Sequence, residues 1–335
     1  MNIVKANAVY LDPNEMHPYA FMERVGRICY KSEDKITDES AVKFVNALRK
    51  NKHTAMLEHA HIILAIDYET AESFSELMAS IAVDNNYQDM LTPYFHITIN
   101  DSRANSGNYI SSSFRTFINF VDANFNWSPT ADKNLRSTLY DAYPEIFEKP
   151  DNYDGKTGCF RILSRDEFKN DVRKSYSDEK LQNNIISKHL VHTVLFTCDR
   201  GVSHEFVRHR PASFAQESTR YCNYSKDKFG NEITFIEPCY WDADSEQMKR
   251  WKISCDFAES EYFDLLILGA TPQEARAVLP NSLKTELVIT APEIEWQHII
   301  NLREHGTTGT PHPQMKEVMS KASPQLRDKS DNRLK

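Results

Sequence analysis

The 335-residue chain lacks any apolar run long enough to span a bilayer, so the sequence predicts no membrane segment. Its opening stretch, MNIVKANAVYLDPNE, lacks the apolar core of a signal peptide, and the expected location is the cytoplasm. Positive charge is short as well: Lys and Arg number 40 against 48 Asp and Glu, a formal net charge of −8. A general nucleic-acid coat usually carries the opposite sign, so no polymeric nucleic acid is expected as a partner. A small basic pocket inside an acidic shell is compatible with that balance. None of the six cysteines forms a C-x-x-C pair. Cys29, Cys159, Cys198, Cys222, Cys239 and Cys255 are scattered, as reduced thiols are, and no structural zinc or other metal is expected.

What is present is apolar content of 40%, enough for a substantial core. Periodicity predicts helices over 14–30 and 38–50, with Thr37 as N-cap of the second. His59 to Ile66 is short, apolar and β-rich, a strand. His192 to Thr197 reads as another, running through Asp199-Arg200-Gly201 into a helix that carries HEFVRHR. Between these strands, 68–188 reads as a largely helical insertion into a compact core, because bare loops of that length are rare. Its helical faces are Phe74, Leu77, Met78 and Ile81, then Phe114, Phe117, Ile118 and Val121, then Leu135, Leu139, Tyr143 and Ile146; much of polar 149–188 reads as loop. Further on, a strand is expected at 233–236 and a long helix at 244–268, ended by Gly269. Thr271-Pro272-Gln273-Glu274 is a helix restart, followed by a strand at 283–290 and a helix through Trp296, Ile299 and Arg303. Segments 109–120 and 287–300 share a weak echo, each running from a strand-like stretch into an aromatic helix. Residues 321–335 read as a frayed tail beyond a single domain over 1–320.

The densest polar chemistry is Arg208-His209-Arg210-Pro-Ala-Ser-Phe-Ala-Gln216-Glu217-Ser218-Thr219-Arg220-Tyr221. Guanidinium forks give paired hydrogen bonds to phosphates and heterocycle edges and keep their charge when desolvated. Three arginines, a histidine and three serine or threonine hydroxyls so close together suit an anionic nucleotide. The bland reading makes Arg208 and Arg210 surface charges at a helix C-terminus, where the dipole favours them. Elsewhere, His189 and His192 sit three apart like a metal pair with no third ligand in view, which favours structural roles. Cys222 invites a nucleophile reading, yet nothing nearby supplies a base.

The segment resembles the signature of flavin-dependent thymidylate synthases, R-H-R-x7-S, and continues into that family's S-x-R-Y. Three other stretches match in order: Glu58-His59 before a strand, Ala275-Arg276-Ala-Val-Leu279-Pro280, and Thr290 through Trp296 to Leu302-Arg303. The resemblance covers about 1–67 and 190–320. It implies an α/β (α+β) fold, a twisted central sheet with flanking helices, assembled as a homotetramer whose sites straddle subunits. It implies FAD held by Arg208, His209, Arg210, Gln216, His298 and His312, with His59 and His61 approaching from a neighbouring subunit. It implies dUMP held by Glu205, Arg208, Gln216, Glu217, Ser218, Thr219, Arg220 and Arg276. Arg303 would polarise the uracil ring, and Ser218 would join it in catalysis. The implied reaction is reductive methylation of dUMP to dTMP, with methylenetetrahydrofolate as carbon donor and NADPH reducing FAD. The family's N-x-R before the last helix reads Pro292-Glu293-Ile294 here, without the amide and guanidinium expected at the flavin. Two alternatives stay open: methylation of another pyrimidine nucleotide such as UMP, and a non-catalytic nucleotide- or RNA-binding module.

Overall fold

The computed structural model describes residues 1–82, 95–151, 153–220, 222–225 and 230–335. Strands β1 (Asn2–Val4) and β2 (Asn7–Leu11) lead into helices α1 (Pro18–Tyr30) and α2 (Ser40–Lys50). Then come β3 (His61–Ile66), α3 (Tyr68–Ile81), β4 (His96–Thr98), β5 (Asn108–Ser113), α4 (Phe114–Ala123) and α5 (Pro129–Ala142). They are followed by β6 (Arg161–Ile162), α6 (Arg165–Ser175), α7 (Glu179–His189), β7 (Val191–Asp199), α8 (Arg200–Phe206) and β8 (Ser213–Gln216). The chain continues through β9 (Thr234–Ile236), α9 (Glu246–Ile267), α10 (Pro272–Ala275), β10 (Lys284–Pro292), α11 (Glu293–Arg303) and α12 (Pro313–Lys329). The class is mixed helix and sheet. In place of the expected single central sheet there are two four-stranded sheets, β2-β7-β10-β8 and β4-β5-β3-β6, both antiparallel, and a small parallel pair β1-β9.

The second sheet is where the 68–188 stretch departs from the expected helical attachment. Its strand β5 reads Asn-Tyr-Ile-Ser-Ser-Ser, too polar to announce a core strand, yet all six residues are buried. Burial is tolerated because the hydroxyls find partners: Ser111 Oγ lies 2.8 Å from His189 Nδ1 and Ser113 Oγ 2.9 Å from Thr116 Oγ1. The expected loop at 149–188 holds α6 and α7. Ser164 and Glu167 form a reciprocal capping box on the first, and Asp178 accepts from the Lys180 and Leu181 amides on the second. Thr37 is not a cap. Helix α2 starts at Ser40 without a side-chain cap, and the Ser40 hydroxyl turns to Glu23 at 2.7 Å. The 321–335 segment is not frayed either. Helix α12 runs to Lys329, burying Ala322, Ser323 and Leu326, and Leu334 is buried beyond it. The restart at Thr271 and the stop at Gly269, with φ of +95°, are as expected.

The weak echo between 109–120 and 287–300 is a full structural repeat. Units β3, α3, β4, β5 and α4 recur as β7, α8, β8, β10 and α11, in the same chain order. Sheet order matches strand for strand, β4-β5-β3 beside β8-β10-β7, with β6 and β2 on the equivalent edge. Register matches too. His61 faces Ser113 as Val191 faces Pro292, and His96 faces Ser111 as Ser213 faces Thr290. The first amide of each following helix closes the ladder, Phe114 N to Ala60 O and Glu293 N to Leu190 O, both at 3.0 Å. On this alignment Phe117 and Trp296 coincide and both are fully buried.

Each repeat has its own core. Phe74, Phe95, Phe117 and Phe120 interlock edge to face in repeat one, with Phe95 and Phe117 centroids 5.2 Å apart. Phe196, Phe206 and Trp296 fill repeat two, the first pair 4.7 Å apart. Each such ring contributes about 1.5–3 kcal/mol by leaving water. Helix α1 is the seam. Its Tyr19 and Met22 enter the first core, while Phe21, Val25 and Ile28 pack on Ala215 and Val288 of repeat two. The Arg-His-Arg loop of repeat two is thereby held beside the strand ends of repeat one.

Candidate functional site

Strand β7 ends at Asp199, whose carboxylate accepts from the Val202 amide at 2.6 Å and caps α8. Burial holds the Asp199 carboxyl above the ordinary carboxylate range. The short α8 delivers Glu205 and then His209, and α11 delivers Glu295, His298 and Arg303 onto the same place. Arg303 donates Nη1 to Glu205 Oε2 at 2.7 Å, Nη2 to the Glu205 carbonyl at 3.0 Å, and Nε to His209 Nε2 at 3.1 Å. A guanidinium has no acceptor, so His209 Nε2 must be unprotonated and the ring proton sits on Nδ1. That proton points at Glu295 Oε1, 3.2 Å away. His298 is exposed, its ring edge-on to His209 at 5.6 Å. The result is a hydrogen-bonded line, Glu205–Arg303–His209–Glu295, joining residues that lie almost a hundred apart in sequence.

Arg208 is exposed and makes no hydrogen bond or ion pair among the described residues. Arg210 is exposed too, folding back on the Val207 and His209 carbonyls and lying over the Phe214 ring. In the following loop, the Gln216 amide bonds Ser203 at 2.8 Å and Thr285 at 3.2 Å, which turns it inward. Glu217 is buried against Lys284 at 3.0 Å. The Ser218 hydroxyl accepts from the Arg220 amide, and Arg276 reaches the Thr219 hydroxyl at 2.9 Å, so two matched motifs meet here. Lys284 continues to Glu286 and Glu286 to Lys31. Burial opposes the charges in this chain of ions, but Glu217 and Glu286 outweigh it and raise Lys284, while Lys284 and Lys31 lower Glu286. His312 stands apart as the N-cap of α12. It lines a cavity of about 370 Å³ with Asp199, Glu205, Tyr240 and Trp251.

His59 and His61 come from repeat one. His59 Nδ1 lies 2.8 Å from the Thr290 hydroxyl of β10, and no hydrogen bond joins either histidine to Arg208, His209 or Arg210 among the described residues. Both imidazoles are held near a pKa of about 3 by burial and are neutral at any ordinary pH. His61 Nδ1 is buried without a partner and lines a cavity of about 120 Å³ between the repeats. His189 bonds Ser111 and Thr98 through its two ring nitrogens, and His192 bonds Tyr10 and Glu293, so each fills a structural role. Among the described residues one group, His209, Glu295 and His298, has ligand atoms within 4.8 Å of one another. A guanidinium bonded to the same imidazole works against a second cation there.

Two acids escaped the sequence reading. Glu295 completes the His209 line. Glu293, in the Pro-Glu-Ile that replaces N-x-R, turns inward to His192 Nε2 at 2.8 Å and accepts two bonds from Arg333, at 2.7 and 2.8 Å. The departure therefore serves to dock the chain's end. A signal did exist: Glu293 and Glu295 both precede a fully buried Trp296 in the first turn of a core helix, where acids need partners.

The family model described as thymidylate synthase complementing protein matches residues 167–329. A flavin-dependent thymidylate synthase of Pyrococcus horikoshii is 36% identical over 106 residues, 32% of this chain and 43% of the relative. That of Pyrococcus furiosus is 30% identical over 143 residues, 38% of this chain and 58% of the relative. The chain thus spans about half the length of the curated relatives it matches. Among solved structures, a UMP/dUMP methylase from Streptomyces cacaoi, crystallised with 5-Br UMP, aligns over 48% of this chain and 83% of its own. At 18% identity and a TM-score of 0.39 that overlap is loose.

Proposed function

We propose, for a chain whose residues 167–329 match the family described as thymidylate synthase complementing protein, that it binds FAD and methylates dUMP reductively to dTMP. Methylenetetrahydrofolate is the carbon donor and NADPH the reductant. The observation that carries the reading is the Glu205–Arg303–His209–Glu295 line, which gathers the Arg-His-Arg motif and the late Leu-Arg motif into one charged, hydrogen-bonded cluster.

The residues suit a flavin dinucleotide in chemistry. Exposed Arg208 and Arg210 offer guanidinium forks for a pyrophosphate, and His298 and buried His209 stand beside them. The partly open cavity near His61, about 120 Å³, adjoins Pro211, Ala212 and Ser213, which follow the Arg-His-Arg motif directly. When bound, FAD supplies the redox chemistry, including the hydride that completes the methyl group.

The chain's own residues place and polarise the pyrimidine. Uracil carbon 5 is a weak nucleophile, and a positive donor facing the ring oxygens raises its electron density. Arg303 fills that role. Its fork is already oriented by Glu205 and His209, so little reorganisation is needed when charge develops. The Ser218–Arg220 turn and the Arg276–Thr219 contact form the phosphate-facing loop. Glu217 is tied to Lys284, which fixes the loop's base. No thiol attack enters, because Cys222 is buried.

Titration of the purified protein with FAD, followed by quenching of flavin fluorescence, tests the cofactor half of this reading, and dUMP calorimetry tests the other. Binding of both supports it; failure to take up FAD at all overturns it.

A further inference from the structure

The cavity between the two sheets has one wall from each repeat. His61, His96, Ser113 and Asn119 come from repeat one; Ser213 and Thr290 come from repeat two. Two pairs of the lining are equivalent between the repeats, His96 with Ser213 and Ser113 with Pro292. His96 holds the position in β4 that Ser213 holds in β8, each facing the equivalent point of the neighbouring strand. Asn119 holds the position in α4 that His298 holds in α11, counted from the matching ladder bonds at Phe114 and Glu293. Repeat one has also shed the charged line of repeat two. Thr116 stands at the place of Glu295, and Asn124 at that of Arg303. What repeat one turns toward Pro211, Ala212 and Ser213, the residues that follow Arg210 directly, is a hydrogen-bonding surface that also carries the ion pair of Glu58 with Arg115.

The resemblance implies that His59 and His61 reach the flavin from a neighbouring subunit. Here they reach repeat two of their own chain, with His59 on Thr290 at 2.8 Å. His61 Nδ1 is buried and unpartnered and lines the space between the repeats, a polar atom that a ligand could satisfy.

We infer that repeat one is a built-in partner for repeat two: the cofactor site beside the Arg-His-Arg loop is completed within a single chain, with His61, His96 and Asn119 as its second wall. This rests on the reading of the loop as a flavin site. The chemical class recognised at the second wall is a heteroaromatic edge carrying both donors and acceptors, which suits imidazoles, an amide and hydroxyls together, the charges of Glu58 and Arg115 on that wall being paired with each other. Its consequence is that one chain holds one complete site without borrowing side chains from a second copy. In a cyclic assembly built from shared sites, by contrast, each site is split between chains.

Subunit mixing separates the two arrangements. One variant carries His61→Ala with Asn119→Ala, the other Arg208→Ala with Arg210→Ala, whose side chains are exposed and leave the core intact. Each is tagged differently, and the two are co-expressed and purified through both tags. The readout is FAD bound per chain by fluorescence quenching, beside a thermal melt to verify folding; His61→Gln serves if the alanine pair melts early. Each variant alone should bind FAD at least tenfold more weakly than wild type, and the mixture should bind no better. Recovery of high-affinity FAD in roughly a quarter to a half of the sites, as split sites give in assemblies that hold both variants, overturns the inference. So does normal FAD binding by the His61/Asn119 variant. Failure of wild type to bind FAD would instead sink the reading of the loop itself, a distinct result.

Discussion

Glu293 allows a quantitative test of what holds repeat two together. Its carboxylate is fully buried, accepts two bonds from Arg333 and one from Ser187, and lies 2.8 Å from His192 Nε2. Burial alone would raise its pKa, but hydrogen bonds from Arg333 and His192 outweigh it and bring the value down to about 2 from an ordinary 4.5. A carboxyl whose folded pKa is depressed contributes stability that is present above the unfolded pKa and is lost as pH falls through the folded one. The window therefore runs from about pH 4.5 down to about pH 2. A shift of that size corresponds to about 3 kcal/mol at neutral pH, in line with the roughly 3–5 kcal/mol for breaking a buried pair from one side. Glu293→Gln keeps the volume but leaves the Arg333 guanidinium, whose side chain is mostly buried, with the exposed Asp331 as its remaining carboxylate. It should lower stability at pH 7 by about 3 kcal/mol, a melting point roughly 5 °C lower. The difference from wild type should shrink as the pH is lowered from 4.5 toward 2. Removing residues 330–335 should give a similar loss, and combining the two changes should cost little more, since both break one network. Urea unfolding followed by circular dichroism across that pH range is the assay. A difference under about 1 kcal/mol, or one that does not change with pH, would refute the reasoning.

Three further outcomes are expected. Arg303→Ala should depress turnover on the order of a hundredfold to a thousandfold with a smaller change in dUMP affinity, as expected for a preorganised charged donor. Arg303→Lys should rescue only part, because it loses the fork, and normal turnover of the alanine variant at saturating dUMP would remove Arg303 from the chemistry. Cys222→Ser should keep most activity; a loss of several orders of magnitude with FAD still bound would point to thiol attack. Hydrogen exchange with dUMP should concentrate protection at 205–220 and around Arg276 and Arg303, and dominant protection within 68–188 would contradict the placement of the pyrimidine.

Elements with strong periodicity and explicit punctuation were legible from sequence. Helix α9 has a regular apolar face and a glycine at its end, and α10 opens on a capping box, so both stand where expected. Strand β5 was illegible because its burial depends on serine hydroxyls finding partners far away in sequence, such as His189. The two-sheet architecture was hidden for a related reason. Repeat one keeps strand order and register but little of the chemistry, with Phe117 for Trp296 and Thr116 for Glu295, so only a faint echo survives in the letters. At the site, motif spacing brought out Arg208, His209 and Arg303. It could not show that Glu295 orients His209, or that Glu293 belongs to the C-terminal dock, because both facts depend on which way one helical turn faces.

The central claim, that the site around Arg303 and the Arg-His-Arg loop methylates dUMP, is tested most directly by one anaerobic assay. FAD-reconstituted protein is supplied with dUMP, methylenetetrahydrofolate and NADPH, and dTMP is quantified against a control lacking each component in turn. The account predicts dTMP formation that needs all four small molecules and that falls with Arg303→Ala. NADPH oxidation without dTMP, or no turnover by protein that has bound both FAD and dUMP, would contradict it.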